Sequence, residues 1–170
     1  NFNNQEHEPI HFYFYSSSEL DFTNKLAIET IFLKVKPNFC INAAAYTAVD
    51  KAESEQEKAY AVNVIGAKNI AEVCNSFNST LIHVSTDFVF DGNKTSSYNE
   101  DDITNPKGIY GVTKRDGEIE IIKSLKQYFI IRTSWLFSSF GNNFMKTMLR
   151  LSKERNSLSI VNDQIGTPTN

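Results

Sequence analysis

Glycine is scarce in this chain: 7 of 170 residues, the first of them Gly66, about half of average usage. That excludes a glycine-rich phosphate turn in the first third. Cysteine is rarer still. Cys40 and Cys74 lie in apolar contexts without metal-type spacing, which reads as two free buried thiols, a reducing compartment and no metal site. No apolar run approaches the ~18 residues of a membrane span. Asn1 to Glu8 is polar with no basic start, so neither anchor nor signal peptide is legible and a cytoplasmic chain is expected. An excess of positive charge is missing too. Lys plus Arg number 17 against 20 Asp plus Glu, a formal net charge of −3, which argues against nucleic acid as a partner. No internal repeat is present.

What remains is an ordinary globular composition, 41% hydrophobic, 12% aromatic and 22% charged, enough for one core and one domain burying roughly 70% of its unfolded surface. The charge is uneven. Residues 1–102 hold 15 acids and 7 bases, and residues 103–170 hold 5 acids and 10 bases. The positive half is a modest pole for an anionic ligand or, its charges being dispersed, a solvated helix face.

Apolar patterning predicts strand and helix in alternation. The aromatic run His11–Tyr15 suits a buried strand, and Glu19–Asn24 supplies turn and cap residues before a helix over Lys25–Lys34, which Pro37 ends. A strand at Phe39–Ile41 leads through small residues to a helix over about Ser54–Ser76. Strands follow at Thr80–Val84, Tyr128–Arg132 and Leu158–Val161, with helices over about Tyr110–Leu125 and Asn142–Lys153. The polar stretch Gly92–Lys107 is long enough to suggest a functional loop. Nearly continuous apolar strands alternating with helices imply a doubly wound parallel α/β sheet covered on both faces, Rossmann-like. Such sheets bind ligands at the carboxyl ends of their strands. Asn42–Asp50, Ser85–Gly92 and Thr133–Phe140 are the segments to search.

Tyr110-Gly-Val-Thr-Lys114 opens a helix, and a spacing of four puts both side chains on one face. There the Lys114 ammonium can lower the Tyr110 phenol from about 10 and make it a proton donor near neutral pH. Such a pair arises by chance about 0.5 times in a chain with this composition, so it needs context. Thr86 provides it, at a strand's carboxyl end and 24 residues before Tyr110, where a hydroxyl can hydrogen-bond the substrate oxygen that Tyr110 protonates. A turn with capping hydroxyls is the plain alternative.

Ordered blocks surround this pair: Glu19-Leu-Asp-Phe-Thr, Ile41-Asn-Ala-Ala-Ala-Tyr-Thr-Ala-Val-Asp-Lys-Ala-Glu53, Ala61-Val-Asn-Val-Ile-Gly66, Ser85-Thr-Asp-Phe-Val-Phe-Asp-Gly92, Arg132-Thr-Ser-Trp-Leu-Phe137, Asn143-Phe-Met-Lys-Thr-Met-Leu149 and Asp163-Gln-Ile-Gly-Thr-Pro-Thr169. Together they resemble the extended short-chain dehydrogenase/reductases, and within them the dTDP-4-dehydrorhamnose reductases, over nearly the whole chain after residue 18. The resemblance implies reduction of the C4 ketone of dTDP-4-dehydro-L-rhamnose with NADPH or NADH as hydride donor. It implies catalytic roles for Tyr110 as general acid, Lys114 tuning it and holding the nicotinamide ribose, and Thr86 polarising the ketone. Asp87, Phe88 and Trp135 fall at substrate-lining positions. Asp21 and Phe22 fall at the adenine end of the cofactor, and Ala44, Ala45 and Thr47 along its middle, where small side chains admit close backbone approach. Taken singly, Asp21 is also an ordinary turn acid, the alanines are close helix packing and Trp135 is core.

Phe88 stands where that family most often has Tyr, which removes one hydroxyl near the sugar. The family opens with a strand and glycine-rich turn and continues past Thr169, so the resemblance implies a sheet truncated at both ends. Residues 1–161 then form part of an NAD(P)-binding domain and 162–170 the start of a substrate-binding part, with little cofactor affinity expected of the 170 residues alone. The implied partners are a nucleotide sugar and a second copy in a homodimer, with no nucleic acid or membrane. Cofactor preference and metal dependence stay open. Two other readings carry the same blocks: a non-catalytic reductase-like regulatory subunit, which intact Thr86, Tyr110 and Lys114 argue against, and an extended short-chain enzyme acting on another nucleotide sugar.

Overall fold

A computed structural model describes residues 9–162, 164 and 166–170 of the chain. Asn1–Glu8, and Asp163 and Ile165 of the last block, lie outside the described residues. Helix α1 (Lys25–Val35) starts where the Asn24 side chain accepts from the Ala27 N–H. It stops where Lys36 turns left-handed at φ 48° and returns its N–H to Phe32, with Pro37 next to bar continuation. Strand β1 (Phe39–Asn42) is followed by a short helix α2 (Val49–Ala52). Then α3 (Gln56–Tyr60), a π-helical turn (Ala61–Gly66) and α4 (Ala67–Ser76) run on without a break. Strand β2 (Thr80–Thr86) ends in a 3₁₀ turn (Asp87–Val89). After the polar loop come α5 (Ile109–Ser124), β3 (Tyr128–Thr133) and α6 (Phe144–Glu154).

The three strands are parallel in the order β1-β2-β3. Cys40 pairs with Leu81, Asn42 with His83, and Thr86 with Thr133. This is the Rossmann-like α/β sheet expected. Helices α1, α4 and α5 gather on one face, where Ile28, Phe32, Ile70, Val73, Cys74, Leu81 and Ile121 form the main core. Strand side chains alternate, so Phe39, Ile41, Phe129 and Ile131 point to the other face and are exposed among the described residues. Among the described residues, the expectation of helices on both faces is met on one.

Two predicted strands do not form. His11–Tyr15 is irregular and exposed, with Phe12 and Phe14 stacked on each other. Leu158–Val161 is likewise irregular and largely exposed. An apolar run reports a wish for burial, but a strand also needs a neighbour to accept its hydrogen bonds, and neither run pairs here. Near the end of the chain the pairing among the described residues is instead a parallel bridge between Leu136 and Thr169. The single helix expected over Ser54–Ser76 carries a π turn. There Asn63 directs its side chain inward, accepting from the Tyr46 N–H at 2.9 Å and donating to the Tyr46 carbonyl at 3.2 Å and to Thr113 Oγ1 at 3.1 Å.

Candidate active site

Helix α5 lays one stripe of buried side chains against the sheet, running from the carboxyl end of β2 inward: Tyr110, Lys114, Glu118, Ile121 and Leu125. The spacing of three or four keeps all five on one side. The stripe changes character along its length. Ile121 and Leu125 join the core, whereas Glu118, Lys114 and Tyr110 meet the polar end of β2. Two glycines allow the approach: a Cβ on Gly111 would collide with the Phe88 carbonyl, and one on Gly117 with the Asn63 carbonyl.

Thr86 caps the 3₁₀ turn, accepting from the Phe88 N–H at 3.2 Å and donating to Asp87 Oδ1 at 3.1 Å. The Phe88 ring meets Tyr110 edge-on, centroids 5.6 Å apart. Burial pushes the Tyr110 phenol above its ordinary value; hydrogen bonding with Thr86 opposes this and the Asp87 charge adds to it. This corrects the expectation that Lys114 draws the phenol down: desolvation of a phenolate dominates. Lys114 Nζ instead donates to the Val84 carbonyl at 2.8 Å and lies 3.4 Å from His83 Nε2. Burial pushes Lys114 down to about 8, against the pull of Glu118. Burial, then the Lys114 charge, pushes His83 down to about 3. Asp87 is pushed up, first by desolvation.

The other predicted site residues divide by element. Ala44, Ala45 and Thr47 follow β1, next to β2 at the same sheet end. Ala44 and Thr47 are exposed and Ala45 half-buried, and the Ala44 N–H donates to Asn42 Oδ1 at 3.1 Å. Asp21 accepts from the Thr23 N–H at 2.9 Å and hydroxyl at 2.7 Å, closing a turn. Phe22 rests on Gly66, which has no room for a Cβ, and its carbonyl accepts from Asn69 of α4. Trp135 lies two residues beyond β3 at φ 49°, half-exposed, against Phe144 and Gly166. Thr86, Asp87, Phe88, Tyr110 and Lys114 are thus brought together, and the described contacts of Trp135, Asp21 and Phe22 lie elsewhere.

Sequence reasoning missed the supports of this group. Glu118, 2% exposed, accepts from Ser85 Oγ at 2.5 Å and from Arg132 Nε and Nη2 at 3.1 and 2.7 Å. Arg132 also donates to the Glu100 carbonyl at 3.3 Å, fastening the polar loop. His83 and Asn42 share a buried hydrogen bond. For Asn42, His83, Ser85 and Arg132 the signal available was alternation, polar residues at helix-facing positions of otherwise apolar strands, and for Glu118 it was its place four residues after Lys114 on α5. Among the described residues no cluster of His, Cys, Asp or Glu has metal-holding geometry, Cys40 and Cys74 are free, and no helix is long and apolar enough to cross a membrane.

Comparison with known proteins gives a consistent picture. The family described as RmlD substrate binding domain matches residues 3–170. A dTDP-4-dehydrorhamnose reductase of Aggregatibacter actinomycetemcomitans is 52% identical over 152 residues, 89% of this chain and 52% of that protein. Its counterpart from Salmonella typhimurium is 45% identical over 88% of this chain and 50% of that protein. The crystal structure of dTDP-4-dehydrorhamnose reductase from Bacillus anthracis in complex with NADP superposes with a TM-score of 0.89 at 43% identity, over 91% of this chain and 55% of that one. The chain therefore spans about half the length of the relatives it matches.

Proposed function

Because this chain belongs to the RmlD substrate binding domain family, we propose that the protein carrying it reduces the C4 ketone of dTDP-4-dehydro-L-rhamnose to dTDP-L-rhamnose at the expense of NADPH or NADH. The observation that carries this reading is that α5 brings Tyr110 and Lys114, one turn apart on its buried face, to the carboxyl end of β2, where the Tyr110 ring meets Phe88 two residues after Thr86 and Lys114 Nζ donates to the Val84 carbonyl. The relatives named above, one of them solved with NADP, support it.

The residues present fit a dinucleotide. The small side chains of exposed Ala44 and half-buried Ala45 leave main chain accessible beside β2, Thr47 offers a hydroxyl, and Lys114 keeps donors beyond the one given to Val84. When bound, the nicotinamide supplies a hydride to the ketone carbon. Tyr110 supplies the proton to the ketone oxygen, and its raised phenol keeps it protonated across the neutral range. Thr86 orients that oxygen, and Lys114 holds the nicotinamide ribose. Asp87, Phe88 and Trp135 would line the sugar nucleotide, and Asp21 and Phe22 would hold the adenine end of the dinucleotide. Residues 1–161 belong to the dinucleotide-binding part and 162–170 begin the substrate-binding part. The setting is dTDP-rhamnose biosynthesis in the cytoplasm, with the protein acting as a homodimer.

The protein carrying this chain is expected to oxidise NADPH only when the 4-keto sugar nucleotide is added. Tyr110→Phe is expected to lower kcat by about 10²–10⁴ with substrate binding retained. Full turnover in Tyr110→Phe sinks the mechanism. A stoichiometric protein partner, together with no ketone-dependent NADPH loss, decides for a regulatory subunit.

A further inference from the structure

Behind the catalytic group, β2 contributes a histidine that the proposed reaction does not use. His83 is 2% exposed and meets two polar side chains. Asn42 Nδ2 lies 3.0 Å from its Nδ1, and Lys114 Nζ lies 3.4 Å from its Nε2. The first contact decides the tautomer. Asn42 Oδ1 accepts from the Ala44 N–H at 3.1 Å, and a main-chain N–H can only donate, so the amide cannot be turned round. The Asn42 nitrogen is then the atom facing Nδ1, and it too can only donate. Nδ1 must accept, which leaves the proton of the neutral imidazole on Nε2, aimed at Lys114.

An ammonium group has three donors and no acceptor, so a protonated Lys114 and Nε2–H oppose each other. The free amine accepts from Nε2–H through its lone pair while still donating to the Val84 carbonyl at 2.8 Å. We infer that His83 is a positioning residue acting through Lys114: clamped by Asn42 with its proton on Nε2, it favours the amine over the ammonium and so sets the pH at which this lysine gains and loses its proton.

Burial of both groups acts in the same direction, holding the imidazole neutral and lowering Lys114. The surrounding charges are engaged elsewhere or pull the other way. On α5 itself, Glu118 favours the ammonium, but it is bound to Arg132 of β3; Tyr110 stays protonated. Asp87 lies in the turn after β2 and takes the Thr86 hydroxyl on Oδ1. From the remaining neighbours of α5, Glu53 accepts from the Ile109 N–H, Glu55 from the Tyr46 hydroxyl, and Lys68 pairs with Glu120.

This inference rests on the reading of Lys114 as the partner of Tyr110, and its test is separable from that reading. The experiment is an NMR pH titration of lysine ¹³Cε signals in the protein carrying this chain, with Lys114 assigned by Lys114→Arg. In His83→Gln the side-chain carbonyl can accept from the ammonium, and the Lys114 midpoint is expected to rise by about one unit. Asn42→Asp keeps the Ala44 hydrogen bond and nearly the same shape, but its second oxygen accepts a hydrogen bond from Nδ1–H, so the neutral imidazole stays in place with its proton on Nδ1 while Nε2 becomes an acceptor. The midpoint is expected to rise there as well. An unchanged midpoint in either variant overturns the inference. Turnover reads the other question: with the reductase reading right, the basic limb of kcat/KM moves with the midpoint. Moved midpoints with no ketone-dependent turnover in the parent protein sink the reductase reading and leave the His83–Lys114 coupling standing.

Discussion

Asn63 holds the main chain of Tyr46 at both its polar groups, taking the N–H at 2.9 Å on Oδ1 and giving Nδ2 to the carbonyl at 3.2 Å. The same amide reaches Thr113 of α5 at 3.1 Å, so one buried side chain in the π turn ties the segment after β1 to the helix that carries Tyr110 and Lys114.

Replacing that amide leaves buried polar groups without partners. Asn63→Leu is expected to lower stability by about 3 kcal/mol, read from urea unfolding, and to weaken NADPH binding roughly tenfold because Ala44–Thr47 loses its anchor. Wild-type stability and affinity together would contradict this role.

Gly117 sets helix propensity against packing. Alanine should stabilise an α-helix by about 1 kcal/mol over glycine, yet a Cβ here meets the Asn63 carbonyl, a backbone atom that cannot swing aside. Gly117→Ala is therefore expected to destabilise by about 1–3 kcal/mol, seen as a lower Tm. A raised Tm would show that α5 can move away from the π turn at little cost.

The Glu118–Arg132 pair at 2.7 Å is largely withdrawn from solvent on the acidic side. Arg132→Met leaves a buried carboxylate unpaired and is expected to cost about 3–5 kcal/mol. The double variant Glu118→Leu with Arg132→Met should recover most of it. A double variant as unstable as the single would place the cost in lost packing on Phe90, over whose ring the guanidinium lies.

His83 makes stability pH-dependent. Its folded pKa is lowered to about 3 and the unfolded value is about 6.5, so between these the unfolded chain binds the extra proton and stability falls as pH falls. From pH 6.5 to 5 the loss should be about 2 kcal/mol, and His83→Gln should flatten the urea midpoint over that window. An unchanged slope in the variant assigns the acid sensitivity to other groups.

The elements that form the core were legible because their signals are local. The cap at Asn24, the stop at Lys36-Pro37 and the apolar runs of β1, β2 and β3 each concern residues within a few positions of one another. The aromatic run at His11–Tyr15 misled because apolarity measures burial and not pairing. Helix α2 and the π turn went unread because the first is four residues long and the second depends on where Asn63 finds partners 17 and 50 residues away. The N-terminal end of α5 gave little apolar periodicity since its buried stripe there is Tyr110, Lys114 and Glu118.

Sequence by itself determined the core succession of α1, β1, α4, β2, α5 and β3, the family, and the choice of Thr86, Tyr110 and Lys114 as the residues to test, because these rest on residue types at fixed spacings along one chain. Tertiary structure alone decided which way each buried polar group is satisfied. The Asn42–His83 clamp, the Lys114 contact it aims at, the Glu118–Arg132 pair and the upward push on Tyr110 all depend on atoms about 3 Å apart across segments remote in sequence, and on how completely water is removed between them.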